Sequence, residues 1–176
     1  MSSQPAHHPL VQLARAAIER YVRDGKKLKP SEAPAPIEGE PAGVFVTLHT
    51  ASTGELRGCI GTITATEKSL AQEVINNAIA AATRDPRFPP VRPEELNDLK
   101  IDVSVLYPPE RVTSEAELDP KRYGVIVQRG WQRGLLLPDI EGIDDVKTQV
   151  SYARMKAGIR PDEPVEMFRF RVEKYS

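Results

Sequence analysis

Cys59 is the only cysteine in 176 residues. It stands in Glu55-Leu56-Arg57-Gly58-Cys59-Ile60-Gly61-Thr62, with an arginine two positions before it and a glycine on either side. A guanidinium near a thiol raises the thiolate fraction. Glycine in a strand-like run marks a bulge or a place where another group comes close. The stretch reads as a site, and three kinds of site fit it. In a thiol-dependent enzyme Cys59 is the nucleophile and His49 the base. Arg57 and Arg87 then hold an anion, and the main chain at Gly58 and Gly61 lets a substrate approach. A binding module uses Arg57, Arg84 and Arg87 on a small anionic ligand, a nucleic-acid element or a partner, with no bond made or broken. In a structural reading Gly-Cys-Ile-Gly is a packing point under a helix, since free cysteine behaves as a small buried hydrophobe.

A second stretch belongs with the first. In Arg84-Asp85-Pro86-Arg87-Phe88-Pro89-Pro90 the prolines fix the chain, so Arg84, Asp85 and Arg87 are held in place. These residues make either a helix stop with an Asp–Arg pair or an anion clamp, because guanidinium forks match carboxylate and phosphate.

The elements that carry these residues follow from periodicity. Leu10 to Arg23 has apolar residues at helical spacing, with Gly25 as its stop. Lys26 to Pro41 holds four prolines and reads as a strap leading to a sheet. Gly43–Thr50 and Leu56–Thr64 alternate as two strands of a hairpin. Matching apolar to apolar sets Val46 across from Ile60, Thr47 across from Cys59 and His49 across from Arg57, with Ser52-Thr53-Gly54 as the loop. Cys59, Arg57 and His49 then share the less apolar face.

Thr66 caps a helix over Glu67–Thr83. Leu99–Tyr107 is a half-buried strand stopped by Pro108-Pro109. Tyr123–Gln128 and Gly134–Leu137 flank a turn, Arg129 to Arg133, that carries Trp131, expected to fold back over the sheet. Asp144-Asp145 lead a last helix, and Val165–Tyr175 alternates as a final strand. Strands paired in hairpins with helices between them point to an α+β fold, an antiparallel sheet flanked by helices.

Composition sets outer bounds. The chain fits one domain, residues 1–176, with residues 1–8 (including His7-His8) as a loose tail. Lys and Arg number 24 against 25 Asp and Glu, so no global field favours nucleic acid or an anionic membrane. A lone cysteine excludes an internal disulfide, and with neither a secretory leader nor a membrane-length apolar run the expected setting is cytoplasmic. No Walker loop, Rossmann fingerprint or zinc spacing occurs, so the sequence implies no metal and no cofactor.

The order GVFVTL, LRGCIGT, DPRF, LKIDVSVL, YGVIV, GLLLP and KAGI, between Gly43 and Ile159, resembles the AMMECR family, nearest to the bacterial form that is component A of the AmmeMemoRadiSam set. The likeness runs from about Leu10 to the C-terminus. The resemblance implies two unequal lobes with the cysteine motif near a cleft between them. It also implies a pathway shared with Memo-like and radical-SAM-like proteins, in which the chain acts on or presents a small substrate. The motif positions that carry over are Leu56 to Gly61 and Asp85 to Phe88. The sequence departs from the family at Tyr123-Gly124, where many relatives have His-Gly, and at Arg154, where a cysteine is common. The Glu-Trp often found after GLLLP is not recognisable.

Overall fold

The computed structural model describes residues 7–176, so most of the tail expected over residues 1–8 lies outside the described residues. The chain divides into two compact units of unequal size. One runs up to Leu106 and takes back Glu173–Ser176; the other is Tyr107–Val172. Each unit has its own antiparallel sheet with helical cover, which is the expected α+β class.

In the larger unit α1 (Pro9–Asp24) buries Leu10, Val11, Leu13, Ala14, Ala17 and Ile18. His8 belongs to this helix and not to a loose tail: its Nδ1 accepts the Leu10 N–H at 3.1 Å, and its ring stacks on Tyr175 with centroids 3.9 Å apart. A side-chain acceptor at the N-cap satisfies one of the orphan amides of the first turn. The proline-rich strap that follows forms only the 3₁₀ turn Pro30–Glu32, with Leu28 inserted in the core.

The strands of this unit are β1 (Gly43–Thr50), β2 (Leu56–Gly61), β3 (Leu99–Leu106) and β8 (Val172–Tyr175), in the order β2-β1-β3-β8. Val44, Val46 and Leu48 of β1 and Ile101 and Val103 of β3 are buried with α1 and with α2 (Leu70–Thr83) in a single core. Each such side chain contributes about 1.5–3 kcal/mol by leaving water. The cap of α2 is Ser69, whose Oγ accepts the Gln72 N–H at 3.2 Å, and the helix starts three residues later than Thr66 would place it. Thr66 is engaged elsewhere, on the carboxylate of Glu73.

The smaller unit holds β4 (Glu110–Val112), β5 (Gly124–Arg129), β6 (Gln132–Leu136), α3 (Val146–Ala157) and β7 (Glu166–Phe170), with strand order β4-β7-β5-β6. Asp145 caps α3, accepting the Thr148 N–H at 2.7 Å, as the paired aspartates suggest. Three expectations are corrected in this region. The strand expected over Val165–Tyr175 is two strands, β7 in one sheet and β8 in the other. The turn expected over Arg129–Arg133 contains only Gly130 and Trp131, with Arg129 paired to Gln132 and Gly130 at φ 58°, where glycine is the residue that fits. Trp131 does not fold back over the sheet; it is 92% exposed.

Candidate functional site

The hairpin β1–β2 sets the position of Cys59. Val46 faces Ile60 and Thr47 faces Cys59 as expected, and Thr47 Oγ1 lies 3.3 Å from Cys59 Sγ in a hydrogen bond that either atom can donate. The register holds through Leu48 opposite Gly58 and then slips. An irregularity between Leu48 and His49 sets His49 opposite Leu56, so His49 does not face Arg57 as the unbroken alternation predicts. The loop is also one residue longer than expected, because the Thr50 N–H donates to Glu55 O and Ala51–Gly54 form the turn. A bulge leaves one residue of its strand unpaired and re-aims side chains; here the unpaired residue is Arg57.

The guanidinium of Arg57 forks onto Glu95, in the 3₁₀ segment Pro93–Asp98 ahead of β3, with Nε–Oε1 and Nη2–Oε2 both at 3.2 Å. Its side chain is 11% exposed, and its Nη1 is buried with no hydrogen-bond partner among the described residues. Burial pushes the Glu95 carboxyl up. The bonds from Arg57 and from the Arg92 amide outweigh that, and the carboxyl ends below its ordinary range. Arg57 is therefore held in an ion pair with Glu95 and does not stand free for an anion.

Asp85 is the residue that joins the two sequence stretches. Its carboxylate is buried and accepts four hydrogen bonds. Oδ2 takes the Cys59 N–H at 3.0 Å and Arg87 Nη2 at 2.8 Å; Oδ1 takes the Arg87 N–H and Arg87 Nε, each at 3.0 Å. The Arg87 side chain is the largest cause holding this carboxyl far below the usual carboxylate range. Burial opposes it, and the Cys59 and Arg87 amides reinforce it. Arg87 Nη2 also reaches Cys59 O at 3.5 Å, and its guanidinium lies 5.4 Å from the Phe88 ring centroid. Three contacts thus orient a side chain that is still 56% exposed. Arg84 caps α2 with its N–H on Ala80 O, and its exposed side chain takes no part in these contacts.

The glycines are filled positions. A Cβ at Gly58 would overlap the Ala81 carbonyl of α2, and one at Gly61 would overlap the Phe45 ring. Protein atoms occupy the gaps expected to admit a substrate, as the packing-point reading requires. No hydrogen bond links His49 to Cys59 among the described residues.

Sequence reasoning missed Glu95 and the polar pair on α2. Glu73 is buried and accepts from Thr62 Oγ1 (3.0 Å), Thr66 Oγ1 and Thr66 N–H (2.6 Å each) and the Glu67 N–H (3.1 Å). Asn77 donates to Val44 O at 2.8 Å and to Thr62 Oγ1 at 3.2 Å. Together they fix the chain leaving β2. The signal was available: Glu73 and Asn77 stand three and seven residues after Leu70, on the inward stripe of the helix.

Among the described residues no three His, Cys, Asp or Glu side chains gather to hold a metal, and no helix is long and apolar enough to cross a membrane.

The chain is similar to known proteins over nearly its whole length. The sequence model of the AMMECR1 family matches residues 11–175. A protein of Thermotoga maritima is 56% identical over 170 residues, covering 96% of this chain and 97% of that one. A protein of Clostridium acetobutylicum is 41% identical over 176 residues, spanning 99% of this chain but only 37% of its own length. The crystal structure of an uncharacterised protein from Pyrococcus horikoshii superposes with a TM-score of 0.85 at 38% identity, covering 94% of this chain and 88% of that one.

Proposed function

The chain belongs to the AMMECR1 family, and within it we propose that this protein recognises a small anionic ligand through Arg87 and makes no use of a reactive thiol. The observation that carries this reading is the hold on Arg87. Asp85 binds its Nε and Nη2, its Cζ lies over the Phe88 ring at 5.4 Å from the centroid, and more than half of the side chain still faces solvent. A planar guanidinium fixed from behind by a buried carboxylate loses little rotamer freedom when it meets a carboxylate or phosphate.

Thiol chemistry has less support. The partner of Cys59 Sγ is a threonine hydroxyl, and the expected base, His49, shares no hydrogen bond with it among the described residues. In this reading the ligand is presented in a cytoplasmic pathway to the Memo-like and radical-SAM-like partners that the resemblance implies.

Isothermal titration with citrate and with inorganic phosphate at low salt tests the reading. Arg87→Gln should weaken binding about tenfold or more, the loss of one or two charge-assisted hydrogen bonds. Cys59→Ser and Arg57→Gln, each checked for an intact fold, should bind as the wild type does. Equal binding by Arg87→Gln, or loss of binding in Cys59→Ser alone, overturns it.

A further inference from the structure

The helix α3 carries apolar residues on both of its sides. Val150 and Ala153 are buried in the core of the smaller unit, while Tyr152 and Met155 stand 47% and 68% exposed. A surface helix ordinarily turns a polar face outward. Large exposed apolar side chains are few among the described residues: Leu56, Tyr107, Trp131, Tyr152 and Met155. Three of these five belong to α3 or to the β5–β6 turn beside its C-terminal end. Gln132, next to Trp131, fastens that turn to the helix by donating from Nε2 to Gly158 O at 2.9 Å and to Ala157 O at 3.3 Å.

The exposed side of α3 is shaped as well as apolar. Lys147, Ser151 and Met155 follow one another at four-residue intervals as a ridge, with a groove along each flank. One groove, of about 550 Å³, runs past Val150, Arg154 and Ile159 with Glu115 at its wall; the other, of about 440 Å³, runs past Thr148 and Tyr152. A four-residue ridge between two grooves is the surface that a second helix packs against. Methionine suits such a contact because it adapts its shape.

Charge selects the partner. Val146–Ala157 contains Lys147, Arg154 and Lys156 and no acidic residue, within a chain of net charge −1. Arg154 is held in place by the Arg160 and Glu163 carbonyls, each at 2.8 Å from its Nη1.

From these observations we infer that the exposed face of α3 docks an acidic amphipathic helix of a partner protein. That helix has apolar anchors spaced to meet Met155 and Tyr152 and carboxylates that meet Lys147 and Lys156. At 1.5 Å per residue the twelve residues of α3 span about 18 Å, room for about three turns of the incoming helix. In the Clostridium acetobutylicum relative the part matching this whole chain is 37% of the length, so there it is joined to further polypeptide. The docking face shares no residue with the Arg87 site, and the two readings stand or fall separately.

The test is methyl NMR on protein carrying ¹³C-methyl methionine. The probe is an amidated peptide of about 14 residues, with leucine at helical spacing and glutamate elsewhere; the control is its lysine counterpart. The glutamate peptide should shift Met155 saturably and leave Met167 in place, while the lysine peptide does nothing. Lys147→Glu combined with Met155→Glu, both on exposed positions, should weaken binding about tenfold or more, followed by peptide fluorescence anisotropy. No Met155 shift at millimolar peptide overturns the inference. So does equal binding by the lysine peptide, or a Met155 response only to phosphatidylserine-containing vesicles or to single-stranded RNA.

Discussion

The carboxylate of Asp85 accepts the main-chain N–H of Cys59 at 3.0 Å, and Arg87, held by the same carboxylate, reaches the carbonyl of Cys59 at 3.5 Å. β2 is the outer strand of its sheet, and an outer strand presents unpaired amides and carbonyls that invite another chain. Here a side-chain pair from the segment after α2 occupies the place of a neighbouring strand at one residue. The two sequence stretches that stand out are two halves of one clasp.

Asp85→Asn should therefore cost stability well beyond an ordinary surface substitution. Removing the charge from a buried acceptor of four hydrogen bonds is expected to cost about 2–3 kcal/mol, less than a fully buried ion pair because Arg87 is largely in solvent. Urea unfolding measures this. Hydrogen exchange should show the Cys59 amide losing protection in the same variant.

The acid limb of stability follows from the same carboxylate. The folded state holds Asp85 ionised far below the ordinary carboxylate range, with Arg87 as the largest cause. The unfolded chain takes up its proton near pH 4. Between those limits the unfolded state binds more protons, so stability rises with pH. The contribution is complete above about pH 4–5 and is lost as pH falls below that. Urea midpoints measured from pH 7 down to strongly acid buffer should fall more steeply for the wild type than for Asp85→Asn.

The packing reading of the glycines has its own test. Gly58→Ala drives a methyl group into the Ala81 carbonyl, which the helix cannot easily withdraw, and should destabilise by about 1–3 kcal/mol or more. Gly61→Ala meets the Phe45 ring instead. Its cost should shrink in a Phe45→Ala background, with a coupling of about 0.5–3 kcal/mol in a double-mutant cycle. Additive costs would mean that Gly61 does not make room for that ring.

Glu73→Gln should loosen the chain that leaves β2. The amide keeps one acceptor oxygen where the carboxylate offers two to four donors. A loss of about 1.5–3 kcal/mol is expected, with faster hydrogen exchange at Thr66 and Glu67.

Much of this fold was legible in the sequence, and the parts that were not share a cause. Alternation gave the pairs Val46–Ile60 and Thr47–Cys59, and the cap at Asp145 followed from residue type. What alternation cannot show is a change of partner. Arg57 drops out of register and turns its guanidinium to Glu95, 38 residues further along the chain. Val165–Tyr175 alternates without a break although the chain changes sheets near Arg171, since both strands are extended and no glycine or proline marks the change. Thr66, the cap expected from residue type, is bound by Glu73 instead, and Ser69 caps the helix three residues later. At the site, sequence reasoning set Thr47 opposite Cys59 and joined Asp85 and Arg87 to it, and the structure brings these four together. Arg57 and His49, expected on the same face, are not among the contacts of Cys59, and Arg57 is on Glu95 instead.

The central claim is that Arg87, braced by Asp85, is the group that receives an anion. The most direct measurement follows the ¹⁵N resonances of the arginine side chains during a phosphate titration at low salt. The Arg87 guanidinium should shift saturably in the wild type and in Cys59→Ser, with Arg57 unmoved. A flat Arg87 response, or a saturable shift that disappears when Cys59 is replaced, contradicts it.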